Sequence, residues 1–205
     1  MKAAAVGTID YYFWTSSDWA YFGNPRLKAM AEKHGLTVNY FPVDLATVYA
    51  RTGGIKLALR SQERKSYRLE EMRRFSKLLQ MPVITRPTYP IINNDWSSRV
   101  IVAAKSEGIH VHDLTHAIMG ARWAEDKDIE DKRVLVDIMS GLGLNADALW
   151  EIAERDETGK TYELYTEQAI ARGVFGSPFY FFGEESFWGQ DRLEHLQRSV
   201  IESGL

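Results

Sequence analysis

Ser17 stands at a joint where a hydroxyl has chemical consequences. "YYFWTSS", Tyr11 to Ser17, runs without a charged side chain, and its four leading aromatics have the pattern of a strand buried on both faces. Beyond it, "DWAYFGNPRLKAMAEKHG" reads as helix. At a helix N-terminus a serine oxygen can cap a backbone N–H, and its proton can bind an anion that the helix dipole also favours. One proton serves one acceptor. The chain has no cysteine, so it has no thiol of its own for redox chemistry, metal binding or crosslinks.

The other constellations are less specific. "HVHDLTH" places His112 and His116 at i, i+4 with Asp113 adjacent, a spacing that can hold zinc. The glutamate of H-E-x-x-H is missing, so a solvated helix face is expected and no metal site. No G-x-S-x-G elbow of a serine hydrolase occurs. "ERKSYRLEEMRR" (63–74) mixes charge signs, as a solvated amphipathic helix does. Trp96, Trp123 and Trp150 fall in helical segments and are expected in the core or an interface.

Composition narrows the class. The 205 residues are 45% hydrophobic and 12% aromatic, enough for one sizeable core. The net charge of −3 is spread along the chain, which leaves no footprint for nucleic acid. No apolar run approaches the roughly 18 residues of a membrane helix. "MKAAAVGTIDYYFW" is interrupted by Gly7 and Asp10, with no small-residue cleavage site following, so no signal peptide is expected. A soluble, cytoplasmic protein is the default expectation.

The elements that must position Ser17 follow in order. Residues 8–15 form a first strand. Asn24 and Pro25 fit an N-cap and a first helical proline. A turn from Asp18 to Gly23 is therefore expected to lead into a helix ending at His34 and Gly35. "LTVNYFPVDL" (36–45) is a second strand, stopped by Pro42. "SYRLEEMRRFSKLLQ", "SSRVIVAAKSEG", "HDLTHAIMGARWAED", "IEDKRVLVDIMSGLG" and "KTYELYTEQAIARG" all have helical periodicity, and no strand is expected between about 46 and 173. "PFYFFG" and "ESFWG" form a hairpin, and "QDRLEHLQRSVIESG" closes as helix. There is no internal repeat or low-complexity linker. The order βαβ, helical block, ββα predicts an α/β, thioredoxin-like domain (1–45 and 174–205) with a helical domain (46–173) inserted between its halves.

In thioredoxin-like oxidoreductases a C-x-x-C pair sits at the end of the first strand, its first sulfur at the helix N-terminus. Here the slot reads "SDWA", with Ser17 first and Ala20 second. "FGSPFYFF" places Pro178 just before a strand, which suits a cis-proline loop facing that slot.

With these residues the chain resembles the 2-hydroxychromene-2-carboxylate isomerases, relatives of the kappa-class glutathione transferases with the fold of the oxidoreductase DsbA. The family's aromatic strand followed by S-P-x-S-Y is similar to "SDWAY", and its G-V-F-G-x-P-x-F and F-W-G-x-D-R-L to "GVFGSPFYFF" and "FWGQDRL". "YRLEEMRR", "PTYPIINN" and "ARWAEDKDIEDKRVL" resemble its helical segments in the same order. Two departures stand out: Asp18 replaces the proline after the serine, and in "TGG" Gly54 replaces an asparagine that touches glutathione.

The resemblance implies glutathione as cofactor, with Ser17 as the catalytic residue stabilising its thiolate. It also implies an aromatic substrate isomerised without consuming glutathione, and a homodimer. A kappa-like transferase, or a non-catalytic thioredoxin-like module for thiols or peptides, stands as the alternative. Lowering a thiol pKa from about 8.5 to about 7 needs roughly 2 kcal/mol. A hydroxyl donor supplies about 1.5–3 kcal/mol and a helix N-terminus about 0.3–1 kcal/mol. Ser177 and Pro178 offer a backbone edge for the peptide-like cofactor. N–H groups at Gln190 and Asp191 suit the γ-glutamyl carboxylate, and the Asp191 carboxylate suits its ammonium. Arg64 or Lys65 is placed to reach a glutathione carboxylate, and Trp19 and Tyr21 are expected partly in the core and partly in the substrate wall.

Overall fold

The computed structural model describes residues 7–90 and 95–205. "MKAAAV" and the last four residues of "PTYPIINN" lie outside the described residues. Four strands, β1 (Thr8–Phe13), β2 (Thr37–Pro42), β3 (Phe179–Phe182) and β4 (Glu185–Trp188), form one sheet in the order β2-β1-β3-β4. β1 runs parallel to β2 and antiparallel to β3, and β3 pairs antiparallel with β4. The hairpin thus lies directly beside the first strand, as the element order predicts.

Side-chain alternation explains why β1 is apolar throughout. Ile9, Tyr11 and Phe13 enter the main core, whereas Tyr12 packs on the opposite face with Val43, Val48, Val174, Phe179 and Phe181. Register places Tyr11 between Tyr40 and Tyr180, and its ring lies 5.3 Å from Tyr40 and 5.2 Å from Tyr180. Such cross-strand aromatic pairs are worth about 0.5–1.5 kcal/mol beyond their buried area. In the middle of this strand Asp10 is held by Arg172 (2.6 Å) and by the Asn39 amide (3.0 Å).

Helix α1 runs unbroken from Asp18 to Lys33, with Pro25 inside it. The turn expected over 18–23 is helix, and Asn24 is not its cap. Ser17 is the N-cap: its oxygen accepts from the Ala20 N–H at 3.2 Å. Packing overrides the local Asn-Pro signal, because Ala20, Tyr21, Phe22 and Asn24 are all buried and would lose that contact in an open turn. Gly23 lets the helix approach closely, since a Cβ there would meet the Tyr180 hydroxyl at 2.8 Å and Gln190 Cβ at 3.0 Å.

Between β2 and β3 lie α2 (Leu45–Thr52), α3 (Gln62–Leu79), α4 (Trp96–Ser106), α5 (His112–Trp123), α6 (Lys132–Gly141), α7 (Ala146–Glu154) and α8 (Asp156–Ala171). Periodicity predicts five of these; the short helices α2 and α7 are additions. No strand occurs among the described residues of this block. Its Val100, Ile101, Ile118, Met119 and Trp150 belong to the same apolar cluster as Ile9 and Tyr11, so burial is continuous from sheet to helices. A 3-10 turn, Gln190–Arg192, precedes the last helix, α9 (Leu193–Glu202). Gln190 and Asp191 therefore sit in that turn, ahead of the helix they were expected to open.

Candidate active site

Ser17 is 5% exposed and meets Ser177 across 160 residues of chain. Its hydroxyl donates to the Ser177 carbonyl oxygen at 3.3 Å, long for an O–H···O bond. The Trp14 N–H donates to Ser177 Oγ at 2.9 Å, which pins the two loops together. Ser177–Pro178 is cis, as the loop position predicts. Thr15 Oγ1 lies 2.8 Å from Ser97 Oγ, and Glu130 accepts from the Ser97 hydroxyl and the Trp96 N–H, both at 2.7 Å. Burial pushes the Glu130 carboxyl up to about 7. This buried relay ties the Ser17 loop to the start of α4 and has no sequence signature.

Ser17 and Ser177 share the wall of a cavity of about 700 Å³. Trp14, Trp19, Tyr49 and Trp123 line it, together with six cations (Lys56, Arg60, Lys65, Arg68, Arg86 and Arg122) and a single carboxylate, Asp18. An aromatic, cationic space suits a flat anionic ligand. Trp123 is in the core as expected, 2% exposed, and as the last residue of α5 it also lines this cavity. Trp19, expected partly in the core and partly in the substrate wall, packs against the core and lines this cavity. Tyr21 instead faces a second cavity and donates to the Pro82 carbonyl at 2.9 Å.

Of the two departures, Asp18 lines this cavity, and Gly54 lines the neighbouring one behind Tyr49, which borders both. Asp18, 5% exposed, is the first residue of α1 and forms an ion pair with Arg68 at 2.8 Å; the angle is off the hydrogen-bond line. Burial raises its carboxyl pKa, against lowering by Arg68 and by the Trp19 N–H. Arg68 belongs to the charged run expected to be solvated, yet its side chain is only 14% exposed. At Gly54 a Cβ would overlap the Tyr49 ring, so an asparagine does not fit unless Tyr49 moves. Tyr49 lines the Ser17 cavity, its hydroxyl 3.4 Å from Arg60.

The remaining site residues separate. Lys65 lines the Ser17 cavity, whereas Arg64 lines a neighbouring one with Trp188 and Phe175. Pro178, Gln190 and Asp191 do not line the Ser17 cavity. The Pro178 carbonyl accepts from the Gly189 N–H at 3.0 Å, which brings the cis-proline loop beside the 190–192 turn. Gln190 is buried, and its side-chain and backbone oxygens both accept from Arg26, at 2.6 and 3.0 Å. Asp191 has a half-exposed side chain 3.6 Å from Arg192.

His112 and His116 are not on a solvated face. His112 Nδ1 is 2.6 Å from the Tyr40 hydroxyl, and the His116 ring stacks on Tyr21 at 5.9 Å. Burial, then Lys28, push His112 down to about 4. Among the described residues no group of three His, Cys, Asp or Glu side chains is placed to hold a metal, and no helix is long and apolar enough to cross a membrane.

Comparison with known proteins agrees with this fold. The chain is 29% identical to the 2-hydroxychromene-2-carboxylate isomerase of Pseudomonas sp. (strain C18) over 193 residues, covering 94% of this chain and 89% of that one. It is 28% identical to the enzyme of that name from Pseudomonas putida over 197 residues, covering 94% and 93%. A solved 2-hydroxychromene-2-carboxylate isomerase superposes with a TM-score of 0.81 at 25% identity over 95% of both chains. The cytosolic disulfide reductase DsbM from Pseudomonas aeruginosa shares the fold, with a TM-score of 0.70 at 18% identity over 96% of this chain and 98% of that one. A family model described as a DSBA-like thioredoxin domain matches residues 8–200, and the chain belongs to that family.

Proposed function

We propose that this protein is a glutathione-dependent isomerase of an aromatic 2-hydroxy-carboxylate such as a 2-hydroxychromene-2-carboxylate. The observation that carries the reading is the Ser17 hydroxyl at the head of a 16-residue helix, in the wall of an aromatic cavity with six cations and one carboxylate. The residues fit the cofactor: the long 3.3 Å bond to Ser177 leaves the Ser17 proton weakly held, and a thiolate is the stronger acceptor. Glutathione, when bound, would supply a sulfur nucleophile for reversible addition to an unsaturated carbon, and would be neither consumed nor oxidised.

The chain's own residues have separable tasks. Ser17 keeps its lone-pair bond from Ala20 and turns its proton from the Ser177 carbonyl to the sulfur. That releases the carbonyl to pair with the cofactor's backbone as an added strand. The helix N-terminus adds its partial positive charge. Arg68 offsets the Asp18 carboxylate, which would otherwise oppose an anion at the adjoining residue. Trp14, Trp19 and Tyr49 provide faces for the aromatic substrate. Lys65 is the member of the Arg64–Lys65 pair placed in the cavity to meet a carboxylate, and Asp191 meets the cofactor's ammonium from beyond it.

The test is calorimetric titration with glutathione, followed by turnover of a chromene-carboxylate panel. Saturable binding with glutathione recovered unchanged after isomerisation supports the reading. A released conjugate would make the protein a transferase, and binding without turnover a thiol-binding module.

A further inference from the structure

Two donors in the cavity wall lack partners. Arg122 is 4% exposed and Trp123 2% exposed, consecutive residues in the last turn of α5, and both line the Ser17 cavity. Arg122 donates one N–H to the Tyr89 carbonyl at 3.3 Å. Its Nε, and the Trp123 Nε1, have no hydrogen-bond partner among the described residues. Buried donors without partners call for one, and Arg122 and Trp123, unlike Trp150, whose Nε1 is also without a partner among the described residues, line the Ser17 cavity. Arg122 also forms no salt bridge among the described residues, in contrast to Arg68, which has Asp18. Both guanidiniums approach the Trp123 ring, at 5.4 Å for Arg122 and 5.8 Å for Arg68, and Arg86 lines the same cavity. Desolvation lowers the Arg122 pKa, against raising by Asp128, Asp126 and Glu130, none of which forms an ion pair with it among the described residues.

We propose that Arg122 and Trp123 form a carboxylate subsite that holds the acid group of the aromatic substrate, separately from the edge at Ser17 and Ser177 that takes glutathione. The assignment of the ligand as the substrate's acid rests on the isomerase reading; the carboxylate subsite itself rests on the geometry. A guanidinium Nε and an indole N–H from adjacent residues can both donate to one carboxylate. With the acid held there, the attached ring lies against the tryptophan-lined wall, whereas an amide offers a single neutral acceptor oxygen and leaves the guanidinium without a counter-charge. The subsite thus selects for acids, since hydrogen bonds to an ionised acceptor are roughly twice as strong as those to a neutral one.

The test compares 2-naphthoate with 2-naphthamide, one ring system with and without charge, by calorimetry, and measures glutathione in parallel. Wild type is expected to bind the acid at least ~10-fold tighter than the amide, as losing a charged hydrogen-bond pair implies. Arg122→Gln should abolish that preference, Trp123→Phe should reduce it about threefold, and Arg122→Lys should restore part of it. Glutathione affinity should stay within about twofold throughout. Should Arg122→Gln fail the circular dichroism check for folding, Trp123→Phe and Arg122→Lys decide. No preference in wild type, or a preference unchanged in Trp123→Phe and in whichever Arg122 variants fold, overturns the proposal. So does a parallel fall in glutathione affinity, which would assign these donors to the cofactor's carboxylates. If wild type binds no glutathione yet keeps an Arg122-dependent preference for the acid, the isomerase reading fails and the carboxylate subsite stands.

Discussion

Two cavities of similar size flank α1, and they differ in charge. The one at its head, about 700 Å³, sets six cations against Asp18 alone. The other, about 760 Å³ and lined by Tyr21, Pro25 and Arg26, sets Arg26 and Lys127 against Glu125 and Asp137. In the second, the cations already have partners: Arg26 bonds Gln190, and Lys127 pairs with Glu125 at 2.6 Å. Volume alone does not distinguish a site. Among the described residues the head cavity stands out because its cations outnumber the carboxylates that oppose them, whereas the flank cavity is nearly self-neutral.

The comparison breaks most visibly at Asp18–Arg68. Arg68→Met should destabilise the fold by about 3–5 kcal/mol, because it strands a buried carboxylate. Adding Asp18→Asn should recover most of that, and urea unfolding measures both. Full stability in the single variant would show that the head cavity is wet enough to solvate Asp18.

The flank region has its own signature in pH. His112, beside α1 through Tyr40 and Lys28, has a pKa lowered to about 4 from an ordinary 6.5. The unfolded chain therefore binds the proton first as pH falls. Stability is complete above about 6.5 and is lost toward 4, by roughly 3 kcal/mol across that window. Denaturant midpoints between those values should flatten in His112→Gln, and an unchanged slope would remove His112 as the cause.

Ser17→Ala sharpens the contrast at the head cavity. The thiol of bound glutathione should rise in pKa by about one to two units, the hydroxyl's share of the stabilisation, as read from thiolate absorbance. Turnover near neutral pH should fall with it and return in part at higher pH. If neither changes, Ser17 is a helix cap and no more. Tyr21→Phe is the smallest change: it removes the bond to the Pro82 carbonyl, costs about 0.5–1.5 kcal/mol of stability, and should leave glutathione affinity as it was.

What could be read without coordinates was local. The unbroken aromatic run at Tyr11–Trp14 requires a strand covered on both faces, and both faces are covered. Ser17 was legible because capping involves neighbours three residues away, and Ser177–Pro178 because its motif is contiguous. Asn24–Pro25 misled for the same reason: a local cap signal was outweighed by burial of the preceding turn. The short helices α2 and α7 escaped notice because so few turns hardly establish a period.

The sequence by itself determined the element order, the place of Ser17 and the lack of any cysteine, so that any thiol acting there would belong to a ligand. Tertiary structure alone decided which charges face inward. Arg68, Arg122 and Trp123 lie on helices whose patterns allow a solvated or a core reading equally, and only the meeting of α3, α5 and the loop before α1 makes them one wall. A charge on a helix carries no mark of what opposes it, because its partner is set by packing between distant segments, not by spacing along the chain.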